Sequence, residues 1–414
     1  MLRGLAAVAL LAAGCAPGDG RTLLTVDLFG EFGYEGLYRE YEAAHPEIRI
    51  RQRRISVLDD YAPRLRQRIA TGHGAGDVVA LEESLLPAFL RRPERFVDLF
   101  AYGGRALEHR FLPWKWRMGV APDGRLVGLG TDIGPLALCY RTDLFARAGL
   151  PTARDAAARL WPTWDAYYRT GLAFARRIPG VRWLDGPTAV FRAALLQEAG
   201  RGPGFTSFDR RGRLVFASNP AVRTAFATAL RFERARLTAD LQVFTPSWQT
   251  ALRRDRFATV PCPAWMLGGL AAFSGGRGRW DVAAAPGGAG SWGGSWLAVP
   301  RQTRHPARAA ALAAFLTSPH GQVAAFRARS TFPSSPQAAR DPAVAGRVNA
   351  FFGGAPTGRI FGAVAARVRP VFLGPRDEDV RVAVDDVLLS VGQGRLAARD
   401  AWPRAVRAAA KAGR

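Results

Sequence analysis

The sequence predicts an α/β fold of more than one lobe, and three observations lead there. The first is length: 414 residues, at roughly 150 per domain, suggests about two or three domains with room for a large core. The second is an alternation of short apolar runs and amphipathic helical patterns from Leu23 to Leu81, read as β-α-β-α-β. The third is a further series of strand and helix patterns that begins near Gly130.

Leu23 to Phe29 is a short apolar run with a β-branched pair, and it ends at Gly30, as a buried strand stopping at a turn does. Tyr34, Leu37, Tyr38 and Tyr41 recur at helical spacing, and Pro46 closes that helix. Ile48 to Ile55 is a second strand. Tyr61, Leu65 and Ile69 recur every four residues up to Gly72, giving a second amphipathic helix, and Asp77 to Leu81 is a third strand. Right-handed crossovers make such a unit a parallel sheet covered by helices, with ligands beyond the carboxyl ends of its strands. Glu31 and Phe32 follow one such end and Glu82 follows another.

In the second series Leu136 to Tyr140 is a strand, Asp143 to Ala148 a helix and Gly149-Leu150-Pro151 its stop. Trp161 to Ala175 and Asn219 to Ala239 are helical, the latter opened by Asn219 as N-cap and Pro220 in the first turn. Glycine is dense from Gly268 to Gly294, a loop-rich stretch that feeds a strand at Trp296 to Val299. Pro306 to Leu316 and Gly321 to Ala328 read as helices, and Phe332 to Pro336 as a turn.

Composition places the chain in the globular range, at 48% hydrophobic and 22% charged residues. The net charge of +24 invites a nucleic-acid partner. Yet of the 58 basic residues only Lys115 and Lys411 are lysine, and the arginines are scattered through every segment. Such a composition follows from GC-rich coding, and no basic helix, finger or aromatic-interleaved stripe is present, so no nucleic-acid partner is expected. At the N-terminus Arg3 precedes the apolar run Leu5 to Ala13, too short to span a bilayer at about twenty residues but suited to a secretory signal. It ends in Leu11-Ala12-Ala13-Gly14-Cys15, which resembles a lipobox with its leucine displaced by one position. Residues 1–15 are read as a lipoprotein signal with Cys15 as the lipidated residue, and 16–21 as a tether. In an exported protein the remaining pair, Cys139 and Cys262, permits a disulfide; two separate buried thiols are the alternative.

Several chemistries are absent from the sequence. There is no HExxH, no paired CxxC and no histidine pair at ligand spacing, and neither a phosphate-binding GxxxxGK[ST] nor a GxSxG elbow occurs, so no metal, cofactor or catalytic residue is expected. The pairs Asp59-Asp60, Glu82-Glu83 and Asp385-Asp386 do not make a glycosidase dyad, because adjacent strand residues point to opposite faces; a solvated face is the simpler reading. Eleven tryptophans remain. Trp248, Trp265 and Trp292 stand near glycine or proline, and a sugar is expected to stack on Trp265 and Trp292, with Trp248 or Phe32 as a second platform and Glu31, Glu82, Asp132 and Arg359 on its hydroxyl rim.

The chain resembles the family 1 extracellular solute-binding proteins of carbohydrate ABC transporters, and within them the cellobiose and cello-oligosaccharide-binding lipoproteins of actinomycetes. The matching stretches are TVDLFGEFGYEGLYREYEAAHPEIRI at 25–50, AGDVVALEE at 75–83, LCYRTDLFARAGLP at 138–151, VPCPAWMLGG at 260–269, WDVAAAPGGAGSWGGSWLAVP at 280–300, FLTSPHGQVAAF at 315–326, FPSSP at 332–336 and GRIF at 358–361. The departures are the irregular lipobox and Asp27, where an aromatic is common. The resemblance implies a two-lobed periplasmic-binding-protein-like clamp with a mainly parallel sheet in each lobe and several hinge crossings, near Thr131–Gly134, Trp296–Pro300 and Phe332–Pro336. The N-terminal lobe is expected over 22–131 and 300–334 and the C-terminal lobe over 132–297 and 338–414. It further implies a monomer, tethered outside the cell membrane only through its lipid, that delivers an oligosaccharide to permease subunits. A secreted carbohydrate-active enzyme, or a binder of chitobiose, xylobiose or another oligosaccharide, is the alternative.

Overall fold

The computed structural model describes residues 20–276 and 279–414. The signal, Cys15 and most of the tether lie outside the described residues. Eleven strands follow in chain order among them: β1 (Thr22–Phe29), β2 (Ile48–Ile55), β3 (Val78–Glu82), β4 (Gly128–Gly130), β5 (Asp132–Ile133), β6 (Leu136–Arg141), β7 (Arg182–Leu184), β8 (Phe257–Pro263), β9 (Trp280–Ala284), β10 (Ser295–Ala298) and β11 (Phe332–Pro333).

They form two main sheets, one per lobe. The first has the order β2-β1-β3-β10-β4. Its strands β1, β3, β10 and β4 are buried on both faces over most of their length, so side chains alternate between two cores, while the edge strand β2 is half-buried or exposed beyond Ile48. Val78 and Ala80 pack with the helices Glu35–Ala44 and Pro306–Leu316, whereas Val79 and Leu81 pack with the helices Leu58–Thr71 and Leu86–Phe89. Gly72 ends the helix Leu58–Thr71 in the left-handed conformation at φ 76°, which glycine adopts without a Cβ clash. The second sheet has the order β7-β8-β6-β9. Leu136, Leu138 and Tyr140 face a core shared with the helices Trp164–Arg177, Pro187–Arg201, Pro220–Arg234 and Asp377–Gly392, while Ala137 and Cys139 face a core shared with Trp248, Met266 and Phe361.

Both sheets are mixed, which corrects the expectation of a mainly parallel sheet in each lobe. In the first, β1 runs parallel to β2 and β3, but β10 is antiparallel to β3 and β4. In the second, β6 is antiparallel to both β8 and β9, and only β7 and β8 are parallel. The antiparallel strand β10 also moves a boundary. Residues 295–297, expected in the second lobe, belong to the first sheet, because Leu297 pairs with Ala80 and Leu129. Cys139 and Cys262 are joined by a disulfide between the neighbouring strands β6 and β8, with Cα atoms 5.8 Å apart.

Trp248 is a core residue, which corrects its expected place as a platform for ligand. Its side chain is fully buried and its indole N–H donates to Asp185 at 2.9 Å. Burial pushes the Asp185 carboxyl up to about 7, the bonds from Trp248 and Gly186 offsetting only part of the cost. An aspartate whose folded-state pKa lies above its unfolded value of about 3.9 adds stability that is fully present below that value and lost as pH rises through about 7. Asp185→Asn keeps an acceptor for Trp248 without the titration, and it is expected to flatten the fall in Tm between pH 5 and 8; a pH profile identical to wild type counts against this account.

Candidate functional site

Register brings three strand ends together at one edge of the first sheet. Ser295 at the start of β10 pairs with Glu82 at the end of β3, and Trp296 pairs with Gly130 at the end of β4. From this edge the chain crosses to the second lobe at residues 131–135, returns at 285–294 and crosses again beside β11. The crossings are tied to one another. The Thr131 N–H and hydroxyl donate to the Ser295 carbonyl at 2.9 and 3.0 Å, the Ser295 N–H donates to the Asp132 carboxylate at 2.9 Å, and β5 pairs with β11. Gln322 accepts from the Ser335 N–H at 2.9 Å and donates to the Thr317 carbonyl at 2.8 Å.

Lys115 lies beneath this junction, 1% exposed, with its ammonium 3.2 Å from the centre of the Trp296 ring. Burial lowers its pKa to about 8 against the pull of Asp132, Glu83 and Glu82. The same burial raises all three carboxyls, Glu83 to about 8, with Lys115 opposing the rise at Glu83 and Asp132 and Arg192 opposing it most at Glu82. The surrounding walls are tight: a Cβ on Gly130 would lie 2.8 Å from the lysine Cγ, and one on Gly294 2.9 Å from Nζ.

Beside these carboxylates the returning loop forms an aromatic corner. The Trp292 N–H donates to the Gly134 carbonyl at 2.7 Å, an approach that requires glycine at 134, since a Cβ there would sit 1.8 Å from the Trp292 oxygen. The Trp265 indole N–H donates to the Trp292 carbonyl at 2.8 Å, and the two rings meet edge to face at 6.2 Å. Both are partly exposed. Gln197 anchors the glycine-rich stretch before them through the carbonyls of Pro286 and Gly288, at 2.9 and 2.7 Å. Arg192, on the helix Pro187–Arg201, lies 5.6 Å over the Trp292 ring. The helix Asp377–Gly392 adds Glu378, Arg381 and Asp385. Burial pushes Glu378 up, but the bonds from Arg381 outweigh it and bring it to about 2; burial carries Asp385 to about 6 against Arg381 and Arg192. A cavity of about 40 Å³ opens here, lined by Ser84 of the first lobe and Arg192, Glu378 and Arg381 of the second. Two buried polar atoms in this region, Arg192 Nε and Asp385 Oδ1, have no hydrogen-bond partner among the described residues.

Of the residues expected from sequence, the structure gathers Glu82, Asp132, Trp265 and Trp292. A Cβ on Gly293 would lie 3.3 Å from Glu82 Oε1 and 3.4 Å from the Trp265 indole nitrogen, so loop, carboxylate and ring are in contact range. Phe32 is 9% exposed and wedged between Phe29 and Tyr34. Glu31 is drawn off by ion pairs with Arg54 and Arg329, the latter at 3.2 Å. Arg359 is exposed on the helix Thr357–Ala365, with no contact to the corner among the described residues. Asp27 does not reach the cleft either; it is buried against Arg53 at 2.6 Å and the Gly76 N–H at 2.8 Å. Lys115, Glu83, Ser84, Arg192, Glu378, Arg381 and Asp385 escaped the sequence reading. The solvated-face reading of the acidic pairs fails for Glu82, Glu83 and Asp385, each at most 8% exposed. Lys115 did carry a signal, as one of two lysines in an arginine-rich chain.

Two lobes tied by three crossings, with polar groups and rings from both at the seam, define a ligand clamp. The match to the bacterial extracellular solute-binding protein model spans residues 36–351, and the chain belongs to that family. It is a non-enzymatic family. A crystal structure described as a family 1 extracellular solute-binding protein is 39% identical, with a TM-score of 0.83, over 95% of this chain and 100% of that one. Two further structures share the fold. The binding protein of Bifidobacterium animalis subsp. lactis in complex with β-1,6-galactobiose has TM-score 0.80 and 18% identity, over 95% of this chain and 98% of that one. The Streptomyces glaucescens receptor solved with acarbose has TM-score 0.74 and 15% identity, over 94% and 99%. No curated protein sequence matches the chain.

Removing Lys115 leaves buried carboxylates without their cation, and breaking a buried pair in this way typically costs about 3 to 5 kcal/mol. Lys115→Met is expected to unfold at lower denaturant than wild type, and by a larger margin at pH 8 than at pH 5, where Glu83 and Asp132 can take up protons. Equal margins at both pH values would exclude this role.

Proposed function

We propose that this protein captures an oligosaccharide between its lobes and hands it to the permease of an ABC importer, with cellobiose or a cello-oligosaccharide as the sugar. The observation that carries the reading is the edge-to-face corner of Trp265 and Trp292 beside buried Glu82, with Arg192 Nε and Asp385 Oδ1 left over as a free donor and a free acceptor. A sugar ring needs an apolar platform and polar groups around its rim, and both lobes supply them here. Contacts made by both lobes together are complete only on closure, so the ligand stabilises the closed state by its differential contacts. The sugar complexes of its structural neighbours and the motif PCPAWM at 261–266, which places Trp265, support the same reading.

A thermal-shift screen over cellobiose, cellotriose, chitobiose and xylobiose tests the ligand class, because a ligand that binds only the folded state raises Tm with its concentration. Trp292→Ala is expected to weaken the best sugar by roughly 1 to 3 kcal/mol, about ten- to a hundred-fold in Kd, with little loss of stability. Trp248→Ala serves as the contrast, with a loss of about 3 to 5 kcal/mol of stability from a filled core. Calorimetry in which Trp292→Ala binds as wild type does would remove the corner from the site.

Anchoring through Cys15 on the outer face of the cell membrane is part of the proposal, and it rests on the small residues and cysteine that follow the apolar run Leu5 to Ala13. Cys15→Ala is expected to shift the protein from the membrane fraction to the medium. Retention at wild-type level would refute the anchor.

A further inference from the structure

The segments that flank the small cavity at the seam also wall a larger one. A chamber of about 520 Å³ lies between Arg66, Arg91 and Arg92 of the first lobe and Arg376 and Asp379 of the second. We propose that this chamber is a subsite for an anionic group, a carboxylate, sulfate or phosphate carried by the bound sugar chain, and that filling it favours closure of the lobes. The inference rests on the reading that the ligand is an oligosaccharide.

Charge matching carries the argument. Several arginines that join elements elsewhere reach at least one carboxylate: Arg53 and Arg68 share Asp27, Arg141 holds Asp143 and Asp255, and Arg381 holds Glu378 and Asp385. In the chamber four guanidiniums face one carboxylate. Asp379 is divided between Arg66 at 3.6 Å and Arg376 at 3.3 Å, and Arg376 also donates to the carbonyl oxygen of Arg414. Arg91 and Arg92 are exposed, and their side chains form no ion pair among the described residues. An arginine-rich chain will show basic patches by composition alone. This one differs in that its walls come from opposite lobes, so closure brings like charges together with too few carboxylates to offset them. An anion held between Arg91 or Arg92 on one side and Arg376 on the other converts that repulsion into a bridge. The flat guanidinium fork suits the paired oxygens of carboxylate, sulfate and phosphate. The bridge exists only when the lobes are closed, so an anion there acts through its preference for one conformation.

The test compares cellobiose with its counterpart in which the non-reducing glucose is a glucuronate, by calorimetry on the full chain at low and high NaCl. The acidic disaccharide is expected to bind at least about tenfold tighter at low salt, an advantage that shrinks as salt screens the site. Arg91→Gln/Arg92→Gln, whose side chains touch no part of the aromatic corner, is expected to lose that advantage and keep the affinity for cellobiose. Equal affinities in wild type, or an advantage untouched in the double variant, overturn the subsite while leaving the oligosaccharide reading intact. If neither sugar binds, that reading fails for this pair, and sodium sulfate decides the subsite. A rise in Tm at millimolar sulfate that is lost in the double variant upholds it, and the same rise in both, the general effect of an excluded salt, overturns it.

Discussion

The molecule depends on how three strands of chain pass between its lobes through one small area. Each pass is an irregular segment whose backbone groups must find partners away from water, and here they find them in one another. Thr131, Asp132 and Ser295 bond across two crossings, while Gln322 and β11 bring in the third. The buried Lys115 is the electrostatic centre of that knot of bonds. It serves Glu83 and Asp132 at once, so these carboxylates can be buried at the mouth of the cleft without each needing a cation of its own.

Placing the junction at the ends of β3, β4 and β10 has a direct effect on the site. Side chains that leave those ends point toward the second lobe, whose helices Pro187–Arg201 and Asp377–Gly392 present Arg192, Glu378, Arg381 and Asp385 in return. The proposed ligand contacts and the hinge therefore share residues. Asp132 sits in a crossing, and Glu82 and Glu83 end the strand that abuts it.

Much of the architecture was legible from the chain. Short apolar runs located β1, β3 and β6, and a spacing of about four located most helices, to within a few residues, because burial writes itself into local sequence. Strand direction has no such local mark. The antiparallel entry of β10 into the first sheet depends on a partner over two hundred residues away, and the same limit hid the antiparallel pairs around β6. At the site the divide is similar. The partial exposure of Trp265 and Trp292 at the cleft agrees with their loop setting, but Trp248 shared that setting and proved to be core, since the group that decides it, Asp185, is distant in sequence. Arg192 and Asp385 lie within helices and carry no motif; their place at the seam follows only from the face each helix turns to it.

The late arrival of β10 has a bearing on synthesis. Until Ser295–Ala298 has been made, β4 has no neighbour in the first sheet and β3 lacks one of its two, so the N-terminal lobe cannot close its core. Neither lobe is contiguous, and the helices that cover the first sheet continue to Arg329. A nascent chain must therefore reach residues well past its midpoint before any native lobe is complete, and non-local pairing of this kind is slow to form. Such a chain carries no finished lobe until late in its emergence, which suits a protein of an extracellular family.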